Sequence, residues 1–386
     1  MRALTLAHSL SFLLLGNSKL AAAEGDNILR NDSSCDCFLT NGSDPTYYSS
    51  HLFFDFRDLA QYAGVPEVIP DAQRSSLAPP TSDYFTSERW TNTWEIQNWN
   101  NSQDGYGDAT VFMVNSPNNI YIQQDDQDDS LTFLTMRTQR LRGFQTAAEF
   151  QTPSQNYQFL SVRMLARTIG SPGAVTALFT YRSAEELTGV QEADIEVLTR
   201  DPRDKIQYTN QPSYTEDGDE LPDATVNATM PRGTLWSDWA VHRLDWTPDT
   251  SVWYVNDHKV AAIKFQTPRD GSTVNLNVWS NGGSWSGNMS LFDAAYMQVQ
   301  WLEMVFNTTE EGLAQRSIPT DGVPLLSRRQ DDEEGCTVVC SIDETPERGV
   351  AAMLWDGSES AATHIGILQD RIWALLFGIW LLALAN

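Results

Sequence analysis

Positive charge is scarce in this sequence. Its 386 residues include 25 Lys and Arg against 51 Asp and Glu, which gives a formal net charge of −26. So acidic a chain repels phosphate backbones and anionic membrane surfaces. We therefore expect no nucleic-acid partner and favour a neutral or cationic one. With 41% hydrophobic and 11% aromatic residues, the chain can still build a packed globular core.

Sustained helical periodicity and internal repeats are also lacking. The sequence instead alternates short apolar runs with turns rich in Gly, Pro, Asn and Asp. Roughly a dozen such runs over some 270 residues are typical of an all-β jelly roll, a sandwich of two packed antiparallel sheets. We expect this domain to span residues 24–315. The clearest predicted strands are 108–114, 119–124, 131–139, 158–167, 174–182, 240–247, 251–256, 259–265, 273–279 and 297–307.

Cysteine is rare, and its four residues form two pairs: Cys35 and Cys37 near the start, Cys336 and Cys340 near the end. In an oxidising compartment they should form disulfides. A bridge inside the first pair would be strained, so we favour bridges that join the N-terminal pair to the C-terminal pair. A four-cysteine metal site is the alternative, which the tight, unmatched spacings disfavour. No cofactor is expected.

Both ends carry processing signals. Residues 1–23 combine an early Arg, an apolar run and small residues at Ala21 and Ala23, as in a secretory signal peptide cleaved before Glu24. Six Asn-X-Ser/Thr sequons agree with a secreted glycoprotein. They are Asn31, Asn41, Asn100, Asn227, Asn288 and Asn307.

The C-terminal end predicts a glycolipid anchor. Residues 372–386 are mostly apolar and shorter than the roughly 20 residues that a membrane span needs. A spacer and small residues around Ser360 precede them, which is the layout of a GPI-attachment signal over 361–386. Ser358 or Gly357 could replace Ser360 as the attachment residue, and a true tail anchor is the alternative. Residues 316–360 are expected to hold a linker and the second cysteine pair.

One strand carries three acids. In VQEADIEVLT (190–199), Glu192, Asp194 and Glu196 share one face of an extended chain, while Ala193, Ile195 and Val197 share the other. The apolar face predicts a core contact. Three like charges on the opposite face repel one another and raise at least one pKa, which stability alone would not favour. The spacing therefore indicates a functional role.

That role is acid–base and nucleophilic chemistry. The Cα atoms of Glu192 and Glu196 should lie about 13 Å apart, and side chains that lean together bring their carboxyl groups to roughly 5–6 Å, the separation of a retaining glycosidase. Asp194 between them can hydrogen-bond one glutamate and separate the two pKa values. A solvated acidic face and a calcium site are the alternatives. The acidic turn 123–129 could separately hold a structural calcium.

Aromatic residues indicate a carbohydrate groove, because sugar rings stack on aromatic faces. The sequence has 13 Trp, several of them in turns or at strand ends. Trp94, Trp279 and Trp285 are the candidates for the groove. By contrast, Trp246, Trp253 and Trp301 stand at strand positions and are expected in the core.

The acid strand resembles a known family. Glu192–Glu196, read as E-A-D-I-E, matches the E-x-D-x-E signature of glycoside hydrolase family 16, the concanavalin A-like glucanases and transglycosylases. The segments HRLDWTPDTSVWYVN (242–256) and LNVWSNGGSWSG (276–287) resemble two later parts of that family, in the same order. The resemblance covers roughly 85–305.

It implies a curved jelly roll whose concave face binds β-glucan, with retention of configuration. Glu192 would be the nucleophile, Asp194 the assisting acid and Glu196 the general acid/base. Further sugar-binding candidates are Tyr208, Asn210 and Gln211 in QYTNQP (207–212), and Trp279, Asn281 and Trp285 in the second segment.

The sequence departs from the family at two places. Gln191 stands where many members have Asp, and Ala240 stands where a His is frequent. His242 therefore receives no catalytic role. Linkage preference stays open, as does the balance of hydrolysis against transfer.

The sequence thus predicts a monomeric, GPI-anchored fungal β-glucanase that acts on β-1,3 or mixed β-1,3/1,4 linkages of the cell wall. A glucan or chitin transglycosylase on the same site is the close alternative, because an anchored enzyme meets many sugar acceptors. A non-catalytic lectin-like protein is a second alternative, and a structural wall protein is a third. A pure binder, however, has no use for desolvated, mutually repelling carboxylates.

Overall fold

Strands dominate the computed structural model, which describes residues 28–101, 107–128, 131–309 and 336–357. Over those ranges the α-helices are two short ones, α1 (Ala72–Ser76) and α2 (Glu88–Thr91). Each starts with a side-chain cap, because Asp71 accepts from the Arg74 N–H and Ser87 from the Trp90 N–H. Single 3₁₀ turns occur at Asp32–Ser34, Ala60–Tyr62, Asp83–Thr86, Pro117–Asn119, Leu187–Gly189, Pro222–Ala224 and Pro231–Gly233.

The strands are numbered in chain order. The first ten are β1 (Leu29–Arg30), β2 (Cys37–Leu39), β3 (Tyr47–Tyr48), β4 (Ser50–Asp55), β5 (Glu95–Ile96), β6 (Met113–Asn115), β7 (Ile120–Gln124), β8 (Thr132–Arg140), β9 (Gln145–Gln151) and β10 (Tyr157–Gly170). The others are β11 (Val175–Arg182), β12 (Gln191–Leu198), β13 (Lys205–Gln211), β14 (Thr225–Thr229), β15 (Ala240–Trp246), β16 (Ser251–Val255), β17 (His258–Ile263), β18 (Thr273–Trp279), β19 (Ala294–Thr308), β20 (Val338–Ser341) and β21 (Ala351–Asp356).

Most strands belong to one curved sheet. Its order is β14-β13-β12-β11-β18-β9-β8-β19-β10-β15-β16-β17, and β4 to β7 join it at the side. The terminal strands β14 and β17 contact each other, so the sheet nearly closes on itself. This architecture confirms the predicted all-β jelly roll.

The core lies between the two halves of the curved sheet, where alternate residues of each strand meet. On β12, for example, Ala193, Ile195 and Val197 are all at most 5% exposed. Trp246 and Trp253 are fully buried and Trp301 is 2% exposed, which confirms their expected burial. Aromatic side chains fill one end of the core, among them Phe54, Trp90, Trp94 and Phe150.

The two ends of the described chain form a second, small sheet. Its order is β1-β21-β20-β2-β3, so residues 29–48 pair with residues 338–356; we call this unit the terminal cap. Disulfides Cys35–Cys340 and Cys37–Cys336 cross-link it, which confirms the expected pairing between the two ends. The predicted division at residue 315 therefore differs from the structure, because β20 and β21 need β1 and β2 as pairing partners.

Two other sequence predictions compare as follows. Of the strand predicted at 108–114, only Met113–Asn115 pairs in the sheet, because the N–H groups of Thr110 and Val111 donate instead to the Asn281 carbonyl. The signal peptide and the GPI signal, including Ser358 and Ser360, lie outside the described residues. No helix in the described ranges is long and apolar enough to cross a membrane.

Candidate active site

The three acids of β12 share the face of the sheet that is turned away from the core. We call this the acid face: the side of β13, β12, β11, β18 and β9 that carries Glu192, Asp194 and Glu196. The alternation of β12 produces it, because Ala193, Ile195 and Val197 take the core side. Neighbouring strands contribute polar and aromatic side chains to the same face. Those in register with the acids are Ala177, Phe179, Tyr181, Gln207, Thr209, Gln211, Thr273, Asn275 and Asn277.

Glu192 and Asp194 form a hydrogen bond through their carboxyl groups, which requires one proton between them. Burial raises the pKa of Glu192 to about 8; the bond from Asp194 opposes that shift, and the charges of Glu196 and Glu149 add to it. The pKa of Asp194 is also raised, first by burial and then by the charges of its two neighbours. The hydrogen bond from Asp194 thus favours the ionised form of Glu192 more than burial alone would.

Glu196 has a different environment. Its Oε1 accepts a hydrogen bond of 3.1 Å from the Trp285 indole N–H. Burial raises the Glu196 pKa to about 7, and the indole bond holds it below the value that burial alone would give. Glu196 can thus hold a proton in weakly acidic solution and donate it.

A fourth carboxyl group, which the sequence analysis missed, lies on the acid face. Glu149 of β9 stands in a row with Asn277 and Ala177, and that row leads across the sheet to Glu196. Trp99 donates to Glu149 over 3.2 Å, and burial raises the Glu149 pKa to about 7. The available sequence signal was a lone acid among the small and apolar residues of QTAAEFQ.

A sequence model of Glycosyl hydrolases family 16 matches residues 108–303, just over half of the chain. The chain belongs to glycosyl hydrolases family 16. The match contains the acid strand and Glu149, so these carboxyl groups lie within the family domain. The terminal cap lies outside it.

Curated relatives of this family 16 member include two Bacillus proteins. The chain is similar to the Beta-glucanase of Bacillus amyloliquefaciens, 27% identical over 151 residues, 38% of this chain and 58% of that protein. It is also similar to the Beta-glucanase of Bacillus subtilis (strain 168), 24% identical over 148 residues, 38% of this chain and 57% of that protein. The chain spans a little over half the length of these relatives.

Solved structures with a similar fold include two enzymes. Bacillus licheniformis beta-glucanase is 19% identical, covering 56% of this chain and 92% of that one, with a TM-score of 0.43. The laminarinase catalytic domain from Thermotoga maritima MSB8 is 16% identical, covering 57% of this chain and 93% of that one, with a TM-score of 0.44.

The predicted sugar-binding residues of the family 16 strand β13 divide by face. Gln211 lies opposite Glu192 on the acid face and donates to Asp194 over 3.4 Å. Tyr208 and Asn210 are on the wrong face: both are buried, Tyr208 against Trp253, and Asn210 donates to the Phe265 carbonyl. Even-numbered acids on β12 pair with odd-numbered residues on β13, a register that the strand sequences do not reveal.

The predicted groove tryptophans also divide. Trp94 is 2% exposed and packs on Phe150 at 5.0 Å between ring centroids, so its expected place in the groove is wrong. Trp285 is 39% exposed beside Glu196, and Trp279 is half-buried on the strand of Asn277. Trp99, which is 41% exposed and forms a hydrogen bond with Glu149, lies on the acid face where Trp94 was expected.

Asn281 shapes the loop that carries Trp285. Its side-chain oxygen accepts from the Gly283 N–H at 2.9 Å and from the Ser286 hydroxyl at 3.1 Å. Gly282, at φ 72°, adopts the left-handed conformation that glycine tolerates best. In this structure the Asn281 side chain therefore positions the loop, and its expected sugar contact stays a prediction.

One departure from the family pattern, Gln191, has a structural explanation, and the structure also places His242. Gln191 links β12 to a neighbouring loop, because its side chain accepts from the Arg269 and Asp270 N–H groups and donates to the Asp270 carboxylate. His242 lies on the core side of the sheet with Ile195 and Val197, and therefore faces away from the acids. Burial lowers the pKa of His242 to about 4.

The expectation that this site uses no cofactor stays a prediction. Across the described ranges no group of three or more His, Cys, Asp or Glu is placed to hold an ion. Part of the acidic turn 123–129 lies outside those ranges, so the structural calcium stays a prediction.

Proposed function

We propose that this chain is a retaining endo-β-glucanase that cleaves β-1,3 or mixed β-1,3/1,4-linked glucan. The observation that carries the proposal is the division of the three acids. A proton-sharing pair, Glu192 and Asp194, is available for nucleophilic attack, and Glu196 is held apart by Trp285. The Beta-glucanase relatives support glucan as the substrate class.

In the first step, a Glu192 oxygen attacks the anomeric carbon and forms a glycosyl ester. The bond from that carbon to the leaving oxygen breaks, and Glu196 donates its proton to this oxygen. In the second step, Glu196 removes a proton from water, whose oxygen attacks the anomeric carbon and releases Glu192. Two inversions give net retention.

The acid face also supplies contacts for the sugar. Trp285 and Trp99 expose aromatic surface on which pyranose rings can stack, and Gln211 presents an amide to hydroxyl groups. Glu149 and Asn277 add polar atoms on the other side of the acids. A chain of sugars bound across these strands would be cut internally.

We place the mature enzyme outside the cell, held at the fungal cell wall by a GPI anchor. The N-terminal signal, the C-terminal signal and the sequons support this location, as do two disulfides that would be reduced in the cytosol. The chain is proposed to act as a monomer.

The test is to incubate the secreted protein with laminarin, lichenan and labelled oligosaccharides and to size the products. Shorter products are expected from the wild type. Glu192→Gln should abolish turnover and leave glucan binding near normal, whereas Glu67→Gln, an exposed acid outside the acid strand, should change neither.

Longer products would identify a transglycosylase, with a sugar hydroxyl in place of water. Binding without turnover in the wild type would contradict the enzymatic proposal and favour a lectin-like protein. Turnover that survives Glu192→Gln would contradict the assignment of the nucleophile.

A further inference from the structure

A cavity of about 540 Å³ lies between the terminal cap and the jelly roll, away from the acid face. One wall is the outer surface of the large sheet, with Arg163 of β10, Arg243 of β15 and Tyr254 of β16. The other walls are the loop 41–43 and the loop 343–348. The volume lies within the range of about 300–1,000 Å³ that is usual for ligand pockets.

Most of the charges around this cavity are paired. Arg163 and Arg243 both bond Asp343, at 3.1 and 3.0 Å, and each also bonds a second buried carboxylate, Glu303 and Asp245 respectively. His51 forms a hydrogen bond with Glu303. Burial lowers the pKa of His51, but the hydrogen bonds to Asp32 and Glu303 outweigh burial and raise that pKa to about 9. The cavity lining itself therefore carries three arginines, Arg163, Arg243 and Arg348, and two aspartates, Asp257 and Asp343. Asp245, Glu303 and His51 lie behind it and pair with the lining residues or with each other.

A polar cavity whose charges are mostly paired suits a neutral polyhydroxyl ligand better than an ion. An added anion would lie near Asp257 and Asp343, and an added cation would lie near three arginines. Nη2 of Arg243 has no hydrogen-bond partner among the described residues, but it is buried beneath the Gly42 loop and is not open to the cavity. The partly exposed Arg348 can donate to a ligand instead.

One residue at the exposed edge of this cavity is Asn41, the acceptor of the sequon Asn41-Gly42-Ser43. The backbone N–H of Asn41 donates to Asp343 at 2.9 Å, and its side-chain Nδ2 donates to Glu344 at 3.1 Å. An amide nitrogen carries two hydrogens, and glycosylation replaces one of them. The Glu344 bond can therefore coexist with a sugar on Asn41.

The rest of the sequon is fixed against the sheet. A Cβ on Gly42 would lie 2.2 Å from Oδ2 of Asp245, so the loop comes closer to β15 than any other residue would allow. The Ser43 N–H donates to the Tyr254 hydroxyl at 2.7 Å. A glycan on Asn41 would thus start from a fixed position beside the cavity.

We propose that an N-linked glycan on Asn41 places its innermost sugars in this cavity and fastens the terminal cap to the jelly roll. Its hydroxyl groups accept from Arg348 and donate to Asp257 and Asp343. The inference depends on the secretory route but not on glucanase activity. Each of the other five sequons lies outside the cavity lining.

The first experiment expresses the full chain in a secreting yeast and follows each glycan by mass spectrometry. The folded protein is treated with an endoglycosidase that cuts within the glycan core. We expect Asn41 to be occupied and its glycan to be trimmed at least about tenfold more slowly than the one on Asn227, an exposed residue of the strand β14. An empty Asn41, or equal trimming rates, would overturn the proposal.

The second experiment compares melting temperatures. Asn41→Gln and Ser43→Ala, which both remove the sequon, should lower the Tm of the glycoprotein by about 2–4 °C. Ser43→Thr keeps the sequon and should not, nor should Asn227→Gln. In protein made without glycans, Asn41→Gln should change the Tm by less than half of its effect in the glycoprotein. This comparison distinguishes the effect of losing the sugar from the effect of losing the hydrogen bond to Glu344.

A mutational effect of equal size in the unglycosylated protein would show that the side chain matters and the sugar does not. Inorganic phosphate serves as the probe for the competing ligand class. If millimolar phosphate raises the Tm of the wild-type glycoprotein at constant ionic strength, the cavity is an anion site and the proposal is wrong.

Discussion

Replacing Glu196 by Gln should make the folded chain more stable near neutral pH, although it removes the proposed acid. In the folded protein, burial raises the pKa of Glu196 from 4.5 to about 7. The folded state therefore binds a proton that the unfolded state releases between these values. The contribution of Glu196 to stability is fully present below about pH 4.5 and is lost as pH rises through 7.

The magnitude follows from that shift. A difference of about 2.5 pKa units corresponds to an upper limit of about 3.4 kcal/mol at about 1.36 kcal/mol per unit. Because Glu196 is partly exposed and its charge interacts with that of Glu192, we expect the shift to change the free energy of unfolding by about 1–2 kcal/mol. Gln is uncharged at every pH, and its side-chain oxygen can still accept from Trp285.

The assay is urea unfolding, followed by tryptophan fluorescence, at pH 5 and pH 8. The wild type should lose more stability between the two pH values than Glu196→Gln does, by the expected 1–2 kcal/mol. Glu67→Gln is the control and should follow the wild type. If the free energy of unfolding depends on pH equally in the wild type and in Glu196→Gln, the argument that burial raises the Glu196 pKa is refuted.

Three further predictions concern the acid face and the cap. Trp285→Phe removes the bond that lowers the Glu196 pKa, so the kcat/KM profile should shift to higher pH; an unchanged profile would mean that Glu196 does not control it. Glu149→Gln removes one of the charges that raise the Glu192 pKa, so the kcat/KM profile should shift to lower pH, and a shift upward would contradict this. Changing Cys35 and Cys340 together to Ser should cost about 2–5 kcal/mol in urea unfolding, with kcat retained because the cap is remote from the acids; loss of kcat in the folded variant would disprove that separation.

Local pattern was sufficient for the acid strand. The period of two in Glu192–Val197 predicts which side chains share a face whatever the rest of the chain does, and the structure agrees. The pairing of the cysteines between the two chain ends was predictable for a similar reason, since a bridge within Cys35-Asp-Cys37 is geometrically poor. Both inferences use only neighbouring residues.

Features that depend on distant partners were not predictable. Whether Tyr208 or Gln211 reaches the acid face is decided by the register of β13 on β12, and a slip of one residue would exchange them. Trp94 and Trp99 look alike in sequence, but Phe54 and Phe150 arrive from other strands to bury only Trp94.

The sequence by itself thus determined the strand-rich composition, the three aligned acids and the connection between the ends, because each follows from local geometry or bond chemistry. Only the tertiary structure decided that Glu149 joins the acids, that the ends build a cap, and that the cap encloses a polar cavity at Asn41. Those arrangements arise where strands far apart in the chain pack together, and no short stretch of sequence contains that information.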